Sequence, residues 1–303
     1  MVNGLNEFLP KEIIAGIGLR NQGEYVRDGS KCQHLIPELR LQRIIVQIYE
    51  VQTPVEAEAL IELGVDHIGS VVVSEQDWKL PQLKATINSV AATAAKSSLI
   101  PLYNRPESVL RTLDYYQPDI VHFCDALSGK GNAGDLCGRL LDLQALVRRH
   151  FPQIKIMRSI PIAQARGNDK IPTIELAKRF EPASDFFLTD TILMNSSGTD
   201  VDHQPVQGFV GITGEICNWE TARKLVETAR IPVILAGGIS PHNVTDGIRQ
   251  VRPAGVDSCT RTNELDRSGR PIRFKKDLAK VQMLVERVRA AEKTTAGSGD
   301  AAA

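Results

Sequence analysis

Eight times after residue 43 a short, β-branched apolar run is followed by a longer helix-patterned segment, and few folds accommodate that rhythm. The strand-like runs are Ile44–Tyr49, His67–Val73, Leu99–Tyr103, Ile120–Cys124, Ile154–Ile160, Phe186–Asp190, Pro232–Ala236 and Gly255–Cys259. Helix-patterned segments occupy 54–63, 81–94, 106–116, 134–150, 171–180, 218–229 and 241–250, with an eighth at 274–291. Pro54, Pro106, Pro172 and Pro241 stand where a first helical turn tolerates proline, whose missing N–H would be unpaired there anyway. Strands that alternate with helical crossovers lie parallel. Eight such units predict a closed (β/α)8 barrel, the α/β TIM-barrel architecture, rather than an open doubly wound sheet.

The chain has 303 residues, 42% of them hydrophobic, enough for one large core. Barrels of this kind run to about 250 residues as a single domain. The expected organisation is an irregular N-terminal extension at 1–43, broken by Gly16, Gly18, Gly23 and Gly29, a barrel at 44–292, and a disordered tail at 293–303. Ile192–Val210, rich in Ser, Gly, Asp and Asn, reads as either a mobile lid or a passive insertion. Thirty-six basic residues balance 36 acidic ones and no basic stripe is visible, which argues against a nucleic-acid partner. No apolar stretch approaches the roughly 18 residues of a membrane span, and the N-terminus lacks a signal core, so the expected location is the cytoplasm without membrane association. Cys32, Cys124, Cys137, Cys217 and Cys259 are widely spaced and show no metal-type pairing, as ordinary thiols of a reducing compartment would.

In such a barrel chemistry belongs at the C-terminal strand ends. The polar residues there are Tyr49-Glu50, Ser74-Glu75, Asn104, His122, Cys124-Asp125, Arg158, Asp190 and Ser258-Cys259-Thr260-Arg261. Gly211-Ile212-Thr213-Gly214 and Gly237-Gly238 add backbone that a ligand can approach closely. The run from Ile231 to Val244 reads as a buried strand, a glycine pair and a helix start at Ser240-Pro241, whose free amides would favour an anion. A tight turn without a ligand would use the same residues. A phosphate would sit between the loops after strands seven and eight, at Gly238 and Thr260.

Three stretches, Val210–Trp219, Leu235–Val244 and Val251–Asp257, resemble phosphoribosylanthranilate isomerases. That family carries GGTG-x-x-FDW, LAGG-L-x-P-x-N-V and R-P-x-G-V-D-V-S-S-G at closely similar spacing. The likeness extends more weakly over residues 44–292, and 1–43 have no counterpart. It implies an Amadori rearrangement, an aldose–ketose isomerisation of a phosphorylated aminosugar in tryptophan biosynthesis, with no cofactor and no metal, by a monomer or homodimer. It assigns the acid to Asp190 and the phosphate cup to Gly211, Gly214, Gly237, Gly238, Thr260 and Arg261.

The base position departs from the family. Where its first strand ends K-I-C-G, this chain has Gln47-Ile48-Tyr49-Glu50, so Tyr49 replaces the basic cysteine. A phenol ionises near pH 10 and a thiol near 8.5. Glu50 is chemically a better base but alternation points it away from Tyr49's direction, and Cys124 offers a displaced thiol on the same strand face as His122. The substrate-binding arginine of the second βα loop falls near Trp78, whose indole cannot make a bidentate carboxylate contact. Arg158 falls on a strand-five arginine that either faces the ligand or pairs with a carboxylate, and Arg261 either adds charge to the cup or fills it. Three readings remain open: this isomerase with an altered base, an isomerase or lyase on another phosphosugar, and a noncatalytic barrel that binds a phosphometabolite.

Overall fold

The computed structural model describes residues 43–127, 133–164, 171–193 and 206–297. The N-terminal extension with Cys32, the tail after 297 and the middle of the Ile192–Val210 loop lie outside the described residues. Eight parallel strands, β1 (Ile45–Ile48), β2 (His67–Val72), β3 (Lys96–Pro101), β4 (Ile120–Phe123), β5 (Lys155–Ala163), β6 (Phe186–Ile192), β7 (Val233–Leu235) and β8 (Gly255–Ser258), close into a barrel in chain order. Closure is made by β1 against β8, with Gln47 opposite Asp257, while on its other edge Gln47 stands opposite His67 of β2.

The helices follow the strands: α1 (Pro54–Glu62), α2 (Pro81–Ala91), α3 (Pro106–Tyr116), α4 (Ala133–His150), α5 (Thr173–Phe180), α6 (Trp219–Thr228), α7 (Val244–Val251) and α8 (Leu278–Gly297). Thr53 caps α1 by accepting from Glu56 N at 3.2 Å, with Pro54 behind it, and Asn218 caps α6 by accepting from Thr221 N at 3.0 Å. Alternation sends Val46 and Ile48 of β1 outward into a buried cluster with Leu60, Val281, Leu284 and Val288 of α1 and α8. Burying each such side chain is worth about 1.5–3 kcal/mol.

An aspartate just before each of β2, β4 and β6 lies at the bottom of the barrel. Asp66 accepts from Val46 N at 2.9 Å, Asp119 from Ser97 N at 2.9 Å and Asp185 from Ile156 N at 2.9 Å, so each ties the strand it precedes to the one before. Each also meets a cation: Arg289 at 2.7 Å, Lys96 at 3.3 Å and Arg148 at 3.0 Å. Polar residues at this N-terminal end serve stability, since the loops that can reach a substrate are at the other.

Two helix starts differ from the sequence reading. Residues 241–243 form a turn, and α7 begins at Val244, because Asn243 accepts from Ser240 N at 2.8 Å and donates to Gly238 O at 3.0 Å, holding the chain in a loop. Residues 274–276 are not helical: they end a hairpin of β9 (Asn263–Leu265) and β10 (Pro271–Lys276). Asp266 accepts from Ser268 N at 2.8 Å and Arg270 N at 2.9 Å and so makes the turn. The alternation of Ile272 and Phe274 with Arg273 and Lys275, after an Asp-Arg-Ser-Gly turn, was the available strand signal.

Candidate active site

At the C-terminal strand ends an open cavity of about 770 Å³ is lined by every residue given a catalytic or phosphate-binding role from sequence, whereas the strand-end residues Ser74, Glu75, Asn104, Asp125 and Ser258 do not line it. Tyr49, Glu50, Cys124, Asp190, Gly211, Gly214, Gly237, Gly238, Thr260 and Arg261 all border it, together with His122 and Asp257.

The upper wall is bare backbone. Gly211 has φ 100°, where a side chain is strained, and a Cβ there would come within 2.5 Å of Asp190 Oδ2. Ile212 holds φ 61°, an uncommon conformation for a β-branched residue, of the kind that persists where surrounding structure enforces it. Across the cup a Cβ on Gly238 would sit 2.7 Å from the Glu215–Ile216 backbone. Arg261 donates through Nε to Gly214 O at 2.9 Å, clipping the loop after β8 onto the loop before α6. The guanidinium therefore sits at the rim, largely exposed, and does not fill the cup.

Asp190 stands on the inward face of β6 below Gly211. Its Oδ1 accepts from Thr191 N at 3.0 Å, and Ser159 of β5 donates to its carboxylate. Burial, reinforced by the negative charge of Asp257, pushes its carboxyl up to about 7, so it holds a proton to give at neutrality. Asp257, inward on β8, is likewise pushed up to about 7 by burial.

Tyr49 is built into a buried hydrogen-bonded row. Its ring lies over Gly69, where any side chain would overlap it. Its hydroxyl meets Ser98 Oγ at 2.6 Å and His122 Nδ1 at 2.8 Å, and His122 Nε2 meets Ser159 Oγ at 2.8 Å. The row thus crosses the barrel from β3 to the Ser159 that serves Asp190. Burial moves the Tyr49 phenol well above 10 and His122 down to about 3, the latter neutral with one N–H to share. Cys124 is no better as a base, since burial, with Asp125 and Asp190 nearby, raises its thiol well above 9. Glu50 escapes the alternation expected of it because its φ is 66°, which turns the chain; its carboxylate is buried and accepts from Arg273 Nε of the hairpin at 2.7 Å.

The structure takes two sequence-selected residues out of the cavity. Arg158 faces outward from β5, the opposite side from Ser159, and is fully buried against α4: Nε donates to Gln144 at 2.9 Å and Nη1 to Asp125 at 2.7 Å. Of the two alternatives for Arg158, the carboxylate pair is the one realised. Trp78 stacks edge-on to Tyr115 with ring centroids 5.6 Å apart and carries Arg111 over its ring at 5.3 Å, away from the cavity lining. Residues unassigned from sequence, Asp257, Gln47, His67, Ser98 and Ser159, are short or neutral-looking residues within strands; only their inward register could have marked them.

Fold and site together define a (β/α)8 barrel whose loops around β6, β7 and β8 form a glycine-lined cup over two inward carboxylates. Residues 161–263 match the family model of N-(5'phosphoribosyl)anthranilate (PRA) isomerase. Curated relatives named N-(5'-phosphoribosyl)anthranilate isomerase include one from Methanocella arvoryzae, 27% identical over 80% of this chain and 97% of its own length. Another, isomerase 1 of Methanosarcina mazei, is 25% identical over 81% and 95%. The chain is thus similar to phosphoribosylanthranilate isomerases, by the family model over residues 161–263 and by these relatives over most of its length. Solved phosphoribosylanthranilate isomerases share the fold: that of Thermus thermophilus has a TM-score of 0.57 at 18% identity, covering 82% of this chain and 99% of its own. That of Thermotoga maritima has a TM-score of 0.54 at 19% identity with the same coverage. Among the described residues no helix is long and apolar enough to cross a membrane.

Proposed function

We propose that this protein isomerises N-(5'-phosphoribosyl)anthranilate to its aminoketose phosphate, a step of tryptophan biosynthesis, with Asp190 as the general acid. The observation that carries the reading is a carboxyl held near pKa 7 directly beneath the glycine cup, where a family substrate would present its ring oxygen. An acid of that strength gives up a proton readily at neutral pH yet keeps it until needed. The amides of Gly211, Gly214, Gly237 and Gly238 hold the phosphate, aided by Thr260 and the rim charge of Arg261. The similarity of the chain to these isomerases supports both assignments.

The test is a coupled assay following conversion of the substrate to the ketose product, paired with rescue of a tryptophan auxotroph lacking the isomerase. Turnover with rescue is expected. The departures from the family at Tyr49, Trp78 and Arg261 are what favours a noncatalytic reading. Thermal stabilisation by phosphosugars without turnover of any of them would favour that reading.

The cup makes its own prediction. Gly238→Ala forces a Cβ against the Glu215–Ile216 backbone and shifts an amide off the phosphate. One charge-assisted hydrogen bond is worth about 1.5–3 kcal/mol, so KM should rise roughly 10- to 100-fold with kcat changed much less. Steady-state kinetics at saturating and limiting substrate separate the two constants.

A further inference from the structure

We infer that Asp257 is the base of this reaction, removing the proton from C2 of the opened sugar that the family otherwise gives to a thiol on the first strand. The inference rests on the isomerase reading above. It starts from an elimination. The Tyr49 phenol is locked between Ser98 and His122, the Cys124 thiol is held in its neutral form by burial and nearby carboxylates, and Glu50 is engaged by Arg273. Asp257 is the remaining carboxylate on the cavity wall beside Asp190.

Its surroundings orient it as a base. Asp257 is 7% exposed and borders the cavity, so one side meets the ligand space and the rest is inside the barrel. Gln47, opposite it in register, donates through Nε2 to Oδ1 at 3.1 Å. Gln47 Oε1 in turn meets His67 Nδ1 at 3.0 Å. Burial lowers His67 to about 4, so the ring is neutral. A carboxylate only accepts, so the Gln47 amide nitrogen must face Asp257; its oxygen then requires the His67 proton on Nδ1. The three residues form one directed row, His67 to Gln47 to Asp257, in which neither the amide nor the carboxylate can turn without losing a bond. That is the logic of an orienting group behind a base.

The charges around the pair assign the proton. Lys276 of the hairpin, buried and bonded to Asn263 and to Cys259 O, lends positive potential to Asp257, and Asp190 receives the negative potential of Asp257. The other titratable neighbours of Asp257, Tyr49 and Cys259, are kept neutral by burial. The state with one proton on the pair therefore has it on Asp190 and leaves Asp257 ionised, an acid and a base facing one cavity.

The steps balance with these two groups alone. Asp190 gives its proton to the ring oxygen as the C1–O bond breaks and the nitrogen lone pair forms C=N. Asp257 takes the C2 proton; the C–H pair becomes the C1=C2 bond and the C=N pair returns to nitrogen, giving an enolamine. Delivery of the Asp257 proton to C1, with the enol proton passing to Asp190, yields the ketose and restores both groups. No co-reactant is consumed.

Asp257→Asn, isosteric with the native residue, is the direct test, run beside the wild-type protein. We expect kcat to fall about 100- to 10,000-fold, with binding of a reduced, unreactive product analogue changed less than about threefold by calorimetry. A kcat within fivefold of wild type, or a loss matched by lost analogue binding, overturns the base assignment while wild-type turnover leaves the isomerase reading standing. Absence of turnover in the wild-type protein overturns the reaction and the base together. A second measurement needs no variant: kcat of the unaltered protein should peak near pH 7 and fall on both sides. A kcat that climbs steadily to pH 10 would assign proton removal to a phenol or thiol and overturn the proposal.

Discussion

Asp190→Asn should reduce kcat by about three to four orders of magnitude, the upper part of the range for general acid–base catalysis, while the protein stays folded. The amide cannot protonate a leaving ring oxygen, yet it fits the same space under Gly211 and can still accept from Thr191 N. Stability gives the independent control, and its sign follows from the raised pKa. The unfolded carboxyl ionises at its ordinary value of 3.8 and the folded one at about 7, so between these values the folded state binds more protons. Stability from this group then declines as pH rises from about 4 to about 7, and the full penalty is present above 7. Removing the charge should make Asp190→Asn gain Tm relative to wild type at pH 8 compared with pH 5. Activity retained within tenfold would show that the acid lies elsewhere; activity lost with a lowered Tm at both pH values would show only unfolding.

The fold was legible because the strands are buried on both faces and several carry a short β-branched apolar run, as in Ile120-Val121 or Val233-Ile234-Leu235. Strand ends were legible to within one to three residues, since strand pairing continues through Pro161 to Ala163 and begins at Lys96, ahead of the apolar run. The β9–β10 hairpin was hidden by the stronger helical pattern of 278–291, and Pro241 misled because proline serves a turn as well as a first helical residue. Within the site, the glycine cup could be read since positive φ demands glycine, and Asp190 since it ends an apolar strand. Glu50 could not, because a backbone turn at φ 66° cancels the alternation on which its direction was judged. Asp257 is not legible in the sequence because its surroundings depend on Gln47 and His67, neighbours only through the pairing of β1 with β8 and β2.

Arg158 carries the largest expected effect on stability. Its guanidinium lies between the rings of Phe123 and Phe180, 5.1 and 4.9 Å from their centroids, and pairs with Asp125, which is 3% exposed and has Asn104 as its other partner at 2.7 Å. Arg158→Met keeps the stem's packing and deletes the charge, stranding the Asp125 carboxylate; breaking such a pair from one side costs about 3–5 kcal/mol. Urea denaturation should show the midpoint falling at unchanged slope. Adding Asp125→Asn should return most of the loss, because a buried pair removed from both sides can be close to neutral, and the double-mutant cycle isolates the coupling. Kinetics of the double variant, measured where it is folded, then separate the two roles open to this arginine. Arg158 points to α4 while Ser159 beside it points to His122, so KM should stay within about threefold of wild type, the near-neutral change expected when no uniform binding contact is lost. A KM raised 100-fold in that folded double variant would return Arg158 to the substrate, and would require β5 to turn its two faces over.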